Sequence, residues 1–169
     1  MAYTKEQISR LIDGTLDWDT IHRMLSTPKD ANRFDLYIEI LQERVEWDDQ
    51  ILLPIGPHLY IVQKSNGERV TKCGCGQEFG HYKDNWKLNA NIYIRDTEET
   101  MHEIYPKLMH ADPKWNVLRE YYCPGCGVLL EVESVPPFYP VILDFEPDLE
   151  AFYEEWLGRP LPLPKDAKQ

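Results

Sequence analysis

Cys73-Gly74-Cys75-Gly76 and Cys123-Pro124-Gly125-Cys126-Gly127, with 47 residues between Cys75 and Cys123, are the strongest chemical signal in the chain. Four thiolates can enclose a tetrahedral Zn2+ at about 2.3 Å and leave no position for water. In the second pair a two-residue gap brings both sulfurs to one side of a turn, while Gly125 and Gly127 tolerate positive φ and let backbone N–H groups face the sulfurs. In the first pair one residue separates the thiols, so an extended strand would point them to opposite faces. The two glycines must curl the backbone until the sulfurs converge. Cys73, Cys75, Cys123 and Cys126 are the expected metal ligands. The same set accepts iron in a rubredoxin-like site. A thiol-redox pair is the other use of Cys-x-x-Cys, but such pairs normally open a helix after a strand, and both flanks here read as strands. Four unrelated buried cysteines would be a strange accident in two Gly-flanked pairs. A closed zinc site stabilises a fold and hydrolyses nothing.

The histidines and acids add less. His81, six residues beyond Cys75, is a candidate to hydrogen-bond and orient a ligand, or to replace one. His102-Glu103 opens like a zinc-protease helix, but Pro106 stands where the second histidine belongs. His22, His58 and His110 have no partner at ligand spacing and read as surface or interface residues, and Asp48-Asp49 and Glu154-Glu155 as solvated faces. There is no phosphate-binding Gly loop, no Gly-x-Ser-x-Gly turn and no Cys–His pairing. The expected catalytic residues and cofactor-binding residues, metal ligands apart, are therefore none.

The elements that must position the thiols read as an α+β fold. Thr4 and Gln7 form a capping box ahead of Ile8, Leu11 and Ile12, and Gly14 ends that helix. Asp17 or Asp19 caps a second helix through Trp18, Ile21, Met24 and Leu25. A third carries Phe34, Tyr37, Ile38, Leu41 and Val45. Strands begin from Pro54, and Asn66-Gly67 between apolar runs predicts a tight primed turn delivering the chain to Cys73. Residues 88–94 alternate as a strand, 97–109 read as a helix that Pro106 kinks or shortens, and strands at 117–122 and 128–132 flank the second thiol pair. A helix from Pro147 or Asp148 to Leu157 and an irregular proline tail close the chain. The expected division is a helical docking region over 1–53, a zinc-ribbon-like β-rich core of antiparallel hairpins over 54–135, and an aromatic, Pro-rich helix and arm over 136–169, all within one structural unit.

At 169 residues the chain is one domain by length, and 43 % hydrophobic residues suffice for a core. With 18 Lys and Arg against 29 Asp and Glu its formal net charge is −11, which argues against a nucleic-acid-binding zinc ribbon and against anionic lipid. No apolar run could span a bilayer, and the opening MAYTKEQISRLIDG is an amphipathic helix, not a signal peptide. With cysteines in metal-type pairs, the expected location is the cytoplasm. Trp18, Trp47, Trp86, Trp115 and Trp156, with ten Tyr, exceed what so small a core readily absorbs and predict an extensive protein interface.

The chain resembles the gamma subunits of bacterial acetone carboxylases, through YTKEQISRLIDGTLDWDTIHRMLSTPKDANRFDLYIEILQERVEW, CGCGQEFGHYKDNWKLNA, CPGCG and FYPVILDFEPDLEAFYEEWLGRP. The resemblance implies an α2β2γ2 complex that joins acetone and bicarbonate into acetoacetate, consuming ATP to AMP and two phosphates without biotin; related complexes act on acetophenone. It further implies two large hydantoinase-like subunits carrying Mn2+ and the ATP chemistry. The small subunit then holds a structural Zn2+ through the four cysteines and docks through its helical and aromatic arms, or shapes the passage of an intermediate.

Overall fold

Local hydrogen bonds start the first two helices where the sequence places them. Thr4 Oγ1 accepts from Gln7 N at 3.2 Å while Gln7 Oε1 accepts from Thr4 N at 3.0 Å, opening α1 (Lys5–Ile12). Asp17 Oδ1 accepts from Thr20 N at 2.8 Å and opens α2 (Trp18–Ser26); α3 spans Arg33–Glu43. The computed structural model describes residues 2–164; Met1 and residues 165–169, the end of the expected proline tail, lie outside the described residues. Ile8 of α1, Met24 of α2 and Ile40 of α3 bury against Tyr3 and Leu16, so the three helices share one apolar centre.

α3 also joins this layer to a four-stranded antiparallel sheet, β1 (Gln50–Pro54), β2 (Leu59–Gln63), β3 (Arg69–Cys73) and β4 (Glu78–His81), in that order. β2 is buried along its whole length. Its side chains alternate: Tyr60 and Val62 pack with Leu41 of α3, Ile51 and Val70, whereas Ile61 packs with Leu52, Tyr82 and Leu149 on the opposite face. The Gln42 amide bridges α3 to the edge strand, accepting from Ile51 N at 2.9 Å and donating to Asp49 O at 3.0 Å. β1 thus begins before Pro54, earlier than expected, because pairing with β2 and this clamp override a weak local pattern.

The turn at Asn66-Gly67 is not the two-residue primed turn. Gly67 has φ +88° and Asn66 is not left-handed; Gly67 N donates to Lys64 O at 2.9 Å and Lys64 N to Glu68 O at 2.8 Å, a three-residue loop ending in a left-handed glycine. β4 was not anticipated. The strand expected over 88–94 starts later, as β5 (Asn91–Arg95), because Asn85 Oδ1 accepts from Lys87 N at 3.2 Å and winds Trp86–Asn89 into a 3-10 turn. β5 pairs with β6 (Val117–Tyr122), and β6 with β7 (Leu129–Val135), in a three-stranded antiparallel sheet. Between β5 and β6, Thr97 caps α4 (Glu98–His102), which ends well short of Met109.

The C-terminal segment returns over the first sheet. Asp148 caps α5 (Leu149–Ala151), which continues through Phe152–Trp156 as a wider π turn. Tyr153 Oη donates to Leu52 O at 2.9 Å, and Gln63 Nε2 donates to Pro162 O at 3.0 Å. The result is the expected α+β fold, with helices on one face of the first sheet and the second sheet and C-terminal segment on the other.

Candidate metal centre

Each sheet ends in one hairpin tip, and each tip carries one thiol pair. Cys73 closes β3; its N–H donates to Gln77 O at 2.8 Å, its carbonyl accepts from Gly76 N at 2.9 Å, and Gly76 turns the chain at φ +100°. At the other tip Cys123 N donates to Val128 O at 2.9 Å and Gly127 N to Cys123 O at 2.8 Å, with Gly127 at φ +73°. The two loops have the same closure, and the first is one residue shorter. Its curl is held from outside: Gly74 N donates to His58 O at 3.0 Å, and Trp47 Nε1 donates to Gly74 O at 3.0 Å. Gly125, expected to tolerate positive φ, does not adopt it. A Cβ there would lie 3.2 Å from Gln77 Cβ and 3.4 Å from Cys75 Sγ, so this glycine lets the loops approach.

The approach brings four sulfurs together. Cys73 Sγ lies 3.9 Å from Cys126 Sγ and Cys75 Sγ 3.6 Å from Cys123 Sγ, and all four fall within 4.8 Å of one another. A tetrahedral ion with metal–sulfur bonds of about 2.3 Å requires sulfur–sulfur edges of about 3.8 Å. Both short contacts cross from one hairpin to the other, so an ion held here would join the two sheets. Cys73 and Cys123 are buried among Leu59, Phe79, Trp86, Tyr121 and Leu130, whereas Cys75 and Cys126 reach the surface. Burial, with the neighbouring Cys123 and Cys75 sulfurs adding to it, pushes the Cys73 thiol far above its ordinary range. Four thiolates so close need a cation between them, and four soft ligands in tetrahedral array suit Zn2+ or iron, with every position filled.

His81 is not part of this group. It ends β4 opposite Val70, and its Nδ1 accepts from Lys83 N at 3.3 Å. Asp49 is no merely solvated acid, since it meets Lys72 Nζ at 2.6 Å while that ammonium sits over the Trp47 ring. Glu154 and Glu155 are exposed as expected.

Two further clusters carried no recognised sequence signal. Lys87, buried beneath the second sheet, meets Glu131 at 2.7 Å and makes closer contacts with Glu133 and Asp144. Glu98, His102 and His110 converge at α4 and the loop after it. Glu98 precedes His102 by four residues, a helical-face spacing that marks this pair in the sequence, whereas His110 reaches it only through the fold.

Fold and site define a class: a small α+β protein whose two antiparallel sheets meet at a four-thiol centre with the dimensions of a tetrahedral metal site. A family model for the acetone carboxylase gamma subunit matches residues 45–157. The acetone carboxylase gamma subunit of Xanthobacter autotrophicus is 56 % identical over 168 residues, covering 99 % of this chain and 100 % of that one. The acetophenone carboxylase beta subunit of Aromatoleum aromaticum is 28 % identical over 98 residues, 54 % of this chain and 73 % of that protein. The chain belongs to the acetone carboxylase gamma subunit family. No helix among the described residues is long and apolar enough to cross a membrane.

Proposed function

We propose that this chain is the noncatalytic, zinc-holding gamma subunit of a cytoplasmic α2β2γ2 acetone carboxylase, which condenses acetone with bicarbonate to acetoacetate as ATP becomes AMP and two phosphates. Cys73, Cys75, Cys123 and Cys126 hold the Zn2+. Two large hydantoinase-like subunits supply ATP binding and Mn2+. The observation that carries the reading is the closed donor set: four sulfurs at tetrahedral spacing leave no ligand position for substrate. Zinc here would supply no reaction step, and the cysteines' work is to lock two hairpin tips in register. Close likeness over nearly the whole chain supports the carboxylase assignment.

The three tryptophans on the surface, Trp18, Trp115 and Trp156, support the docking role, because large exposed aromatics favour partner contact. In this reading residues 1–53 are the helical docking region, 54–135 the zinc-ribbon-like core and 136–169 the aromatic arm. The first boundary falls inside β1, so the docking helices join the core through a shared strand.

The test is native mass spectrometry with metal analysis on the tagged chain recovered from its own cell. Recovery with two large chains, one zinc per copy of this chain and manganese elsewhere, is the expected result, and Cys123→Ser lowers zinc content and complex yield together. A free chain with thiolate-to-iron absorption, or with a reversible disulfide, would replace this reading with an electron-transfer or thiol-redox protein.

A further inference from the structure

Glu98 and His102 lie one turn apart on α4, whose inner side is anchored by the buried Met101. The chain then reverses: Tyr105 N donates to Met101 O at 2.9 Å, Met109 N to Pro106 O at 3.0 Å, and Leu108 adopts φ +65° with its side chain in solvent. Left-handed backbone is unusual for leucine, and this shape returns the chain so that His110 faces α4.

His110 Nδ1 lies 2.8 Å from Ala111 O, an oxygen that can only accept, so Nδ1 carries a proton, and in the neutral ring Nε2 presents a lone pair. That Nε2 is buried, has no hydrogen-bond partner, belongs to a side chain only 5 % exposed, and lies 3.3 Å from Glu98 Oε2. A lone pair facing a carboxylate oxygen is unfavourable unless a cation sits between them. His102 Nε2 lies 3.6 Å from the same oxygen, and the three donor atoms fall within 4.8 Å of one another. An ion bound at about 2.0–2.1 Å in tetrahedral geometry requires donor separations of about 3.4 Å.

We propose that Glu98, His102 and His110 form a second metal site, for a divalent transition ion such as Zn2+, Co2+ or Fe2+. Imidazole donors favour these ions over Mg2+ and Ca2+. The Nδ1–H of His110 held on a backbone carbonyl is the outer-shell contact that orients a ligating imidazole. Unlike the four-thiol centre, this site uses three protein ligands and keeps a position open. It faces outward, since Glu98 and His102 are partly exposed, and exposed Ile104 and Met109 lie in the same loop.

The experiment takes the full chain, its thiol-bound metal measured first, and titrates it with Co2+ by calorimetry and absorption. The expected result is one saturable additional equivalent with weak ligand-field bands and no intense thiolate-to-cobalt charge transfer. Glu98→Gln and His110→Ala each weaken it at least about tenfold, with thiol-bound metal and circular dichroism unchanged. Absence of binding at millimolar Co2+ would mean that a proton on Nε2 fills the gap, and would overturn the proposal. So would an equivalent that survives both variants, or one with thiolate charge transfer. Because thiolate-bound and imidazole-bound cobalt differ in absorption, failure here is distinguishable from failure of the zinc assignment.

Discussion

Replacing Lys87 by Met should destabilise the chain by about 3 kcal/mol at neutral pH, the lower end of the ~3–5 kcal/mol range for breaking a buried ion pair. Lys87 is 1 % exposed, and its ammonium serves Glu131, Glu133 and Asp144 at once. Burial alone would lower its pKa, but hydrogen bonds to Asp144, Glu131 and Glu133 outweigh that and hold it above its ordinary value. The variant leaves three carboxylates facing one another. Glu131 and Asp144 can turn to water, being 34 % and 50 % exposed, whereas Glu133 is 10 % exposed. Glu133 still receives the Tyr121 hydroxyl and lies 3.8 Å from Arg119, and these residual partners place the loss at the lower end.

The pH dependence has a definite sign. Burial raises the Glu131 carboxyl above its ordinary value, with Asp144 adding to the rise and Lys87 opposing it. A raised carboxyl favours the folded state below the ordinary glutamate range, and that contribution is lost as pH rises through the raised value. Without Lys87 its opposing hydrogen bond is gone, so the penalty should shrink as pH falls from about 7 toward about 5, closer to the ordinary glutamate range. Urea unfolding of metal-loaded wild type and variant at both pH values measures it through the midpoints at constant slope. A penalty under ~1 kcal/mol, or one that grows on acidification, would refute the reasoning.

Other substitutions separate packing, charge and docking. Gly125→Ala should crowd Gln77 Cβ and Cys75 Sγ and perturb the absorption of cobalt bound to the thiols. Gly127→Ala, in open space at φ +73°, should cost about 1 kcal/mol of stability in thermal melts and leave that spectrum alone. Arg95→Met strands Glu120, 7 % exposed and bonded to Arg95 Nε at 2.6 Å, so a loss of about 3 kcal/mol is expected in urea. The Arg95 hydrogen bond holds the Glu120 carboxyl below its ordinary value. That stability is present above the ordinary glutamate pKa and lost as pH falls through the depressed one, so the gap between wild type and variant should narrow toward acid. Trp115→Ser, at a side chain 79 % exposed, should change the isolated chain's stability by under ~0.5 kcal/mol and reduce co-purification with the large subunits.

Thr4, Asp17 and Thr97 cap helices through bonds to residues three positions on, and such contacts are written in adjacent letters. Of the two hairpins that present the thiols, the one at Cys123 was legible for the same reason, because Gly127 supplies the backbone shape within a turn of that cysteine and apolar runs flank it. The 3-10 turn at Trp86–Asn89 defeated the alternation in 88–94 because Asn85 offers the backbone a nearer partner than any strand does. Strand β4 is too short to announce itself and exists through its pairing with β3.

By itself the sequence determined the two thiol pairs, the family likeness, the first helix caps and the order of the helices, since each depends on residues within a few positions or on recognisable motifs. Tertiary structure decided which sulfur faces which, how Glu131 and Glu133 reach Lys87, and that His110 turns back onto Glu98 and His102. Those meetings depend on strand register and loop closure across tens of residues. A change of one residue in register turns every strand side chain to the opposite face, and spacing along the chain carries no record of it.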